Sequence, residues 1–359
     1  MLTSPIPYSP SVEQPTPDES ATSKDLDATL HSILETTAAD YGHAVRAVHA
    51  KSHGLIDATL TSLPDLPPEY AQGLFAQPGM HPAVLRFSAI PGDVLDDAIG
   101  LPNGLAIKIL GVDGERMEGA AAGSTQDFIL VNDPVFTAPN PAAFLKSLKL
   151  LAATTDRAEW AKKLLSKLLA RPVEAALEAV GHPSGMLKTL GGAKNAHPLG
   201  ETYFSQTAFR HGDYVAKLSV APISPNLVVL CGETVKTSGD RDALRHAVQA
   251  AMVTGPAEWE LRVQLCRDIE AMPVEDPTVE WEQEASPFVP VARIHAPAQP
   301  GWSDELSRRI DDDMRFSVWT GLEAHRPLGA VNRVRRNAYD MSAKFRGQVN
   351  GCPMHEPAG

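Results

Sequence analysis

The apolar positions of this chain follow two rhythms in turn. From Asp25 to Gly42, DLDATLHSILETTAADYG spaces its apolar residues at the helical period. The rhythm then becomes short runs of strand character, LIDATLTSL, AVLRFSAI, LAIKIL and DFILV, cut by Pro, Gly and Asp turns. In AVLRFSAI the alternation puts Val84, Arg86 and Ser88 on one face and Leu85 and Phe87 on the other. A helical block is expected from about Pro141 to Val180. Strands resume with ETYFSQTAFR, DYVAKLSVAPI, NLVVLCGE, ELRVQLCRD and FVPVARIHAP, and the stretch from Asp304 to Phe345 again reads helical. With no internal repeat and no linker, the pattern predicts one α+β domain, a closed antiparallel barrel with helices at one side. Residues 1–24, rich in Pro, Ser, Thr and Glu, read as a disordered or draped arm. The main domain is expected over 25–348, followed by a tail at 349–359.

Composition narrows the function classes. The 359 residues carry a formal net charge of -12, and no Lys/Arg run offsets it, which argues against nucleic acid and anionic membranes as partners. The start lacks the basic and apolar regions of a signal peptide, and no stretch approaches the roughly 18 apolar residues of a membrane span. Cys231, Cys266 and Cys352 are widely spaced, so neither a disulfide framework nor a zinc site is expected. A cytoplasmic protein is the expectation.

Three groups of residues suggest chemistry. Arg335, Tyr339 and Arg346, four and seven residues apart, fall on one helical stripe. Positive neighbours favour a phenolate, and a phenolate is a hard ligand for ferric iron. In RAVHAK, His49 sits beside apolar Val48 and close to Arg46, as a general acid/base over a buried group would. Arg86 and Ser88 share a strand face, where a guanidinium could hold a carboxylate and a hydroxyl could orient an imidazole. Each group also has a plainer reading: a surface helix paired with acidic residues, a structural histidine, a barrel strand with a polar side.

Taken together and in this order, the motifs resemble those of catalases over about residues 35 to 348. The RVVHA-type motif appears as Arg46-Ala47-Val48-His49-Ala50, and the VRFS-type motif as Leu85-Arg86-Phe87-Ser88. The RGFAVK-type strand is Asn103-Gly104-Leu105-Ala106-Ile107-Lys108, and the segment ending in an FFIRDP-type motif is Phe128-Ile129-Leu130-Val131-Asn132-Asp133-Pro134. DPTVEW (276–281) and PFVPVARI (287–294) are similar to later catalase stretches, and the R-x-x-x-Y motif matches Arg335 and Tyr339, with Arg346 seven residues on. The resemblance implies haem b as cofactor, Tyr339 as its iron ligand, and Arg335 keeping that tyrosine deprotonated. It implies that Arg46, Arg86 and Arg346 hold the haem propionates, that Val48 and Phe136 lie against the macrocycle, and that His49 moves the peroxide proton while Ser88 fixes its ring.

The chain departs from the catalase pattern at one catalytic position. Where catalases carry a distal asparagine, this chain has Ser124, followed by Thr125 and Gln126. Gln126 or Thr125 could supply a substitute donor, and which of Ser124, Thr125 and Gln126 takes that place is left open. The chain is also shorter than a full catalase, and with HRPLG before the ligand helix it is similar to short catalase-related peroxidases of bacteria. The expected function is a haem peroxidase that uses hydrogen peroxide or organic hydroperoxides to oxidise a small organic reductant, with weak or no catalase activity. Two alternatives remain: a haem enzyme that rearranges or oxygenates one dedicated substrate such as a fatty acid hydroperoxide, and a non-catalytic haem binder. A homo-oligomer is left open. The run Asp311-Asp312-Asp313 is read as a solvated helix face, and His53 as lying outside the pocket.

Overall fold

The computed structural model describes residues 2–120, 123–154, 192–352, 354, 356 and 357. Nine antiparallel strands are present among them: β1 (Ser52–Ser62), β2 (Met80–Ala89), β3 (Asn103–Ile109), β4 (Gln126–Val131), β5 (Tyr203–Phe204), β6 (Phe209–His211), β7 (Tyr214–Pro222), β8 (Ala257–Leu265) and β9 (Val289–Ala296). Neighbours run β5-β4-β3-β2-β1-β9-β8-β7, and the pairing of β5 with β7 closes the ring, with β6 added outside on β7. The expected closed barrel is therefore present, built from eight strands. Closure removes the free sheet edges on which other chains could pair.

The period-two pattern sorts the side chains. Leu85, Phe87, Leu105, Ile107, Phe128 and Trp259 point inward and fill the barrel. The alternate residues of β2, β3 and β4 form rows across the outer face. Ser88 pairs with Gly104 and Gly104 with Val131; Arg86 pairs with Ala106 and Ala106 with Ile129. Because the register is fixed by inward-facing apolar residues, a one-residue slip would turn Arg86, Ser88 and Ala106 into the core.

Helices α1 (Glu19–Tyr41), α2 (Pro141–Thr154), α3 (Ala243–Met252), α4 (Ala330–Val334) and α5 (Arg336–Asn350) complete the fold. In α1, Leu26, Leu30, Ile33 and Leu34 form one apolar stripe, and Gly42 at φ +64° ends the helix in the left-handed conformation that glycine takes without penalty. That stripe packs with Leu145 and Leu148 of α2, Val334 of α4 and Ala338 of α5 into a second core outside the barrel. Helix α3 adds Val248 and Met252 to the barrel core. Among the described residues no helix is long and apolar enough to cross a membrane.

Several expectations change. Helix α1 begins at Glu19, six residues earlier than its periodicity indicates. NLVVLCGE is not a strand: Pro225, pre-set for a first helical position, opens the turn Pro225–Val228 and leaves Val229 70% exposed. ETYFSQTAFR is broken between β5 and β6, with Gln206 at φ +61° in the gap. The stretch from Asp304 to Phe345 is not one helix. A capped turn, Asp304–Ser307, passes into a π-helical turn, Arg308–Asp312, and regular helix returns only at Ala330. There the carbonyls of Ile310, Asp311 and Met314 accept from arginines instead of from the next helical turn. The part of the expected helical block from residue 155 to Val180 lies outside the described residues.

The barrel core carries buried histidines that must stay neutral. His325 Nε2 accepts from Leu74 N at 2.9 Å, and His211 Nε2 lies 3.0 Å from Tyr70 O. Burial holds His211 down at about 4 and pushes His325 well below the ordinary 6.5. An unfolded chain takes up these protons as pH falls through 6.5 while the folded one does not, so stability is complete above 6.5 and lost below it. Each such histidine should cost about 1.4 kcal/mol per pH unit in that window. Thermal unfolding midpoints measured from pH 8 to 4.5 should be level at first and drop steeply below 6.5; a flat profile would contradict the neutral assignments.

Candidate functional site

Between the outer face of β2–β4 and the helical core lies a cavity of about 260 Å³. Its barrel side is made by Arg86, Ser88, Gly104, Ala106 and Ile129, and its helical side by Leu148, Ala338, Tyr339 and Ser342. The segment after α1 contributes Arg46, Val48 and His49, and Phe136 closes a further side. Nine of the ten residues singled out by sequence thus meet around one space.

His49 is held in an uncommon conformation. Its φ is +57°, in the left-handed region that non-glycine residues seldom occupy. The strand fixes it there: His49 N donates to Ile90 O at 2.6 Å, and its carbonyl accepts from Arg86 Nη2 at 2.8 Å. The ring lies over Gly104, where an added Cβ would come within 2.4 Å of its Cε1, and Ser88 Oγ is 3.2 Å from its Nδ1. Burial, then the charges of Arg86, Arg335 and Arg46, push the imidazole down to about 3. It is therefore a neutral base at any ordinary pH.

The arginines converge on a residue read from sequence as solvated. The Asp311 side chain is only 14% exposed. Its Oδ1 accepts from Arg86 Nε at 2.7 Å and Arg46 Nη1 at 3.2 Å, and its backbone carbonyl accepts from Arg46 and Arg346. Ser52 Oγ donates to Oδ2 at 2.7 Å. Burial alone would raise this carboxyl, but Arg86, Arg46 and the Ser52 hydrogen bond outweigh it and hold it below its usual range. Burial among like charges pushes Arg346 down to about 10. Arg46, Arg86 and Arg346 thus form a positive edge of the cavity, anchored by one carboxylate that leaves charge over.

Opposite stands Tyr339 on α5. Arg335, at the break between α4 and α5, donates from Nη2 to Asn332 Oδ1 at 2.6 Å and lies 5.9 Å from the Phe136 ring centroid. Asn332 is itself fixed, donating to Thr207 Oγ1 at 3.0 Å and Leu328 O at 2.8 Å. The Nε atoms of Arg335 and Arg346 are buried without a partner among the described residues.

Gln126 does not join the site. It is fully buried against Gly321, its Oε1 accepting from Leu322 N and its Nε2 donating to Asp127 O. Strand β4 explains this: Ile129 and Val131 face the cavity, and Gln126 lies at the strand's far end, paired with Ile109. Thr125 turns its hydroxyl to Glu356. The one carboxamide among the described lining residues is Gln206, missed in the sequence because SQT reads as strand interior. Its Nε2 donates to Asp133 O at 3.1 Å and Val135 O at 2.6 Å, so its donors are already committed to backbone. Asn332 and Asp311 were also missed; nothing in their spacing marks them. His53 lies outside the cavity, as expected.

Two substitutions test this geometry. Gly104→Ala should displace the His49 ring with little change in fold, seen as a loss of protection of His49 from diethyl pyrocarbonate. Asp311→Ala should cost about 3–5 kcal/mol of unfolding free energy, because it leaves buried guanidiniums uncompensated. A thermal midpoint within a degree of the parent would contradict that role.

Similarity to known proteins lies in structure. No family model matches the sequence, and no curated protein matches it. A fungal catalase superposes with a TM-score of 0.58 at 17% identity, over 91% of this chain and 67% of that one. Catalase A from Saccharomyces cerevisiae gives 0.58 at 15% identity, over 90% and 68%. A bacterial catalase gives 0.56 at 18% identity, over 90% and 63%. This chain thus spans about two thirds of their length. With its eight-strand closed barrel and outer helical layer, it has the catalase fold.

Proposed function

We propose that the cavity binds haem b and that the protein is a peroxidase, with His49 as acid/base and Tyr339 as iron ligand. The observation that carries this reading is the presence, around one cavity, of a tyrosine from α5 and a neutral histidine whose ring is held over Gly104. The donor set fits the group. The Asp311 carboxylate pairs with Arg46 and Arg86 while Arg346 donates only to backbone carbonyls, so the edge at Arg46, Arg86 and Arg346 suits further carboxylates, which haem propionates provide. The orphaned Nε atoms of Arg335 and Arg346 leave donors in reserve. Gly104 and Ala106 keep the floor low, while Val48, Ile129, Phe136 and Leu148 give apolar walls for a macrocycle. A single phenolate at Tyr339 would suit a bond to a haem iron.

Haem, when bound, supplies the iron that accepts oxidising equivalents from peroxide and passes them to a reductant. The chain supplies the proton handling. His49, uncharged at working pH, would take the proton from one peroxide oxygen and deliver it to the other as the O–O bond breaks, so that the second oxygen leaves as water, or as an alcohol from an organic hydroperoxide. Ser88 and Gly104 hold the ring for both transfers. Arg335, held by its hydrogen bond to the neutral Asn332, lines the same cavity as Tyr339.

Peroxidase is favoured over fast peroxide disproportionation because no carboxamide donor is free among the described lining residues: Gln126 lies outside the cavity and Gln206 is committed to backbone. The same feature favours a second reading, a haem enzyme with one dedicated apolar substrate. We place the protein as soluble and peroxide-dependent, with a small organic reductant. Guaiacol oxidation by the haem-loaded protein should outpace oxygen release from hydrogen peroxide, and His49→Ala should slow it by about 10²–10⁴-fold. Rapid oxygen release would point to a true catalase. Inertness to guaiacol and peroxide together would favour the dedicated-substrate reading.

A further inference from the structure

Strand β3 sends Gly104, Ala106 and Lys108 to the same outer face. Gly104 lies under the His49 ring and Ala106 in the cavity floor, so Lys108 stands one step beyond the cavity. Its side chain is 0% exposed, and its ammonium donates to Asp127 at 2.8 Å and to Glu356 Oε2 at 2.7 Å. Glu356 belongs to the segment that follows α5. Its Oε1 accepts from Arg315 Nε at 2.7 Å, and Oε2 accepts from Thr125 Oγ1 at 3.1 Å. Donors from three separate parts of the chain therefore converge on one carboxylate whose side chain is 12% exposed. The cluster touches the cavity: Arg315 and Phe316 line it, and Lys108 Nζ lies 5.6 Å from the Phe316 ring centroid.

The charges of this cluster do not balance without Glu356. The body of the fold brings Lys108, Arg116 and Arg315 against Asp127 and Asp340, the last accepting from Arg315 Nη1 at 2.8 Å. Arg116 donates from Nη2 to Thr125 O, and its Nε and Nη1 are buried without a partner among the described residues. Three cations face two carboxylates, and burying the surplus charge unpaired is costly. The missing anion comes from a segment outside the barrel and the helical core, so another carboxylate could replace it.

We propose that Lys108, Arg315 and Thr125 form a carboxylate subsite at the edge of the cavity, filled in the resting chain by Glu356 and open to the carboxylate of an organic monoacid whose body reaches over Phe316. A monoacid restores neutrality, whereas a diacid brings one charge too many and an uncharged molecule none. Glu356 then acts as an internal competitor for such acids. The subsite stands on the geometry of Lys108, Arg315 and Glu356 and holds whether or not haem fills the cavity.

The test compares the intact protein with Glu356→Gln and with a chain shortened after Gly351, using benzoate and its uncharged isostere benzamide in calorimetry and thermal unfolding. Both variants should bind benzoate about tenfold more tightly than the intact protein does, with a matching rise in midpoint, and neither should respond to benzamide. Adding Arg315→Gln should remove the gain. A benzoate preference that survives Arg315→Gln would place the anion at Arg46 and Arg346 and overturn the assignment. So would variants that show no gain, or a shortened chain that stays unfolded in benzoate while Glu356→Gln binds no better than the parent. Benzoate binding is read with or without haem, so its failure leaves the haem reading standing, and failure to bind haem leaves the subsite standing.

Discussion

The Asp311 carboxylate and the arginines around it hold the two halves of the site together. Arg86 comes from the barrel, Arg46 from the segment after α1 and Arg346 from α5. Barrel face, histidine segment and tyrosine helix are thus pinned to the single turn Arg308–Asp312. That turn is π-helical because its carbonyls face the arginines, so local geometry is surrendered to a long-range ion cluster. The cluster also sets the electrostatics. Its excess positive charge reaches His49 and, with burial, keeps the imidazole unprotonated, and carboxylates arriving at Arg46 and Arg86 would offset part of that repulsion.

Sheet geometry does the rest. With Gly104 facing Ser88 across β2 and β3, a position lacking a side chain lies beneath the histidine, and the hydroxyl that orients the ring stands in the next strand. The apolar residues between them on each strand turn inward and hold the register. The helical layer needs less precision: α1 and α2 cover the cavity with Leu30, Phe144 and Leu148, and α5 presents Tyr339, Ser342 and Arg346 to it. The outer face of a closed barrel thereby becomes a buried interior.

Much of this was legible in the sequence because it rests on local period. The alternation in AVLRFSAI separated Arg86 and Ser88 from the core, and the four- and seven-residue spacing of Arg335, Tyr339 and Arg346 put them on one side of the cavity despite the break at Arg335. What escaped depends on partners distant in sequence. Asp311 reads as a surface acid until Arg46, Arg86 and Arg346 surround it. Gln126 has the right chemistry but sits at the far end of β4, where its amide satisfies the turn at Leu322. NLVVLCGE has strand composition, yet Pro225 and the exposure of Val229 make it a surface turn. Asn332 is marked by no motif and matters only because Arg335 folds back onto it.

The central claim is that Tyr339 and the arginine edge make this cavity a haem site. Titrating the apoprotein with haemin, followed by visible absorption and electron paramagnetic resonance, tests it most directly. The account predicts saturation at one haemin per chain with a high-spin ferric phenolate signature, and loss of that signature in Tyr339→Phe. No saturable binding, or an identical signature in Tyr339→Phe, would contradict it.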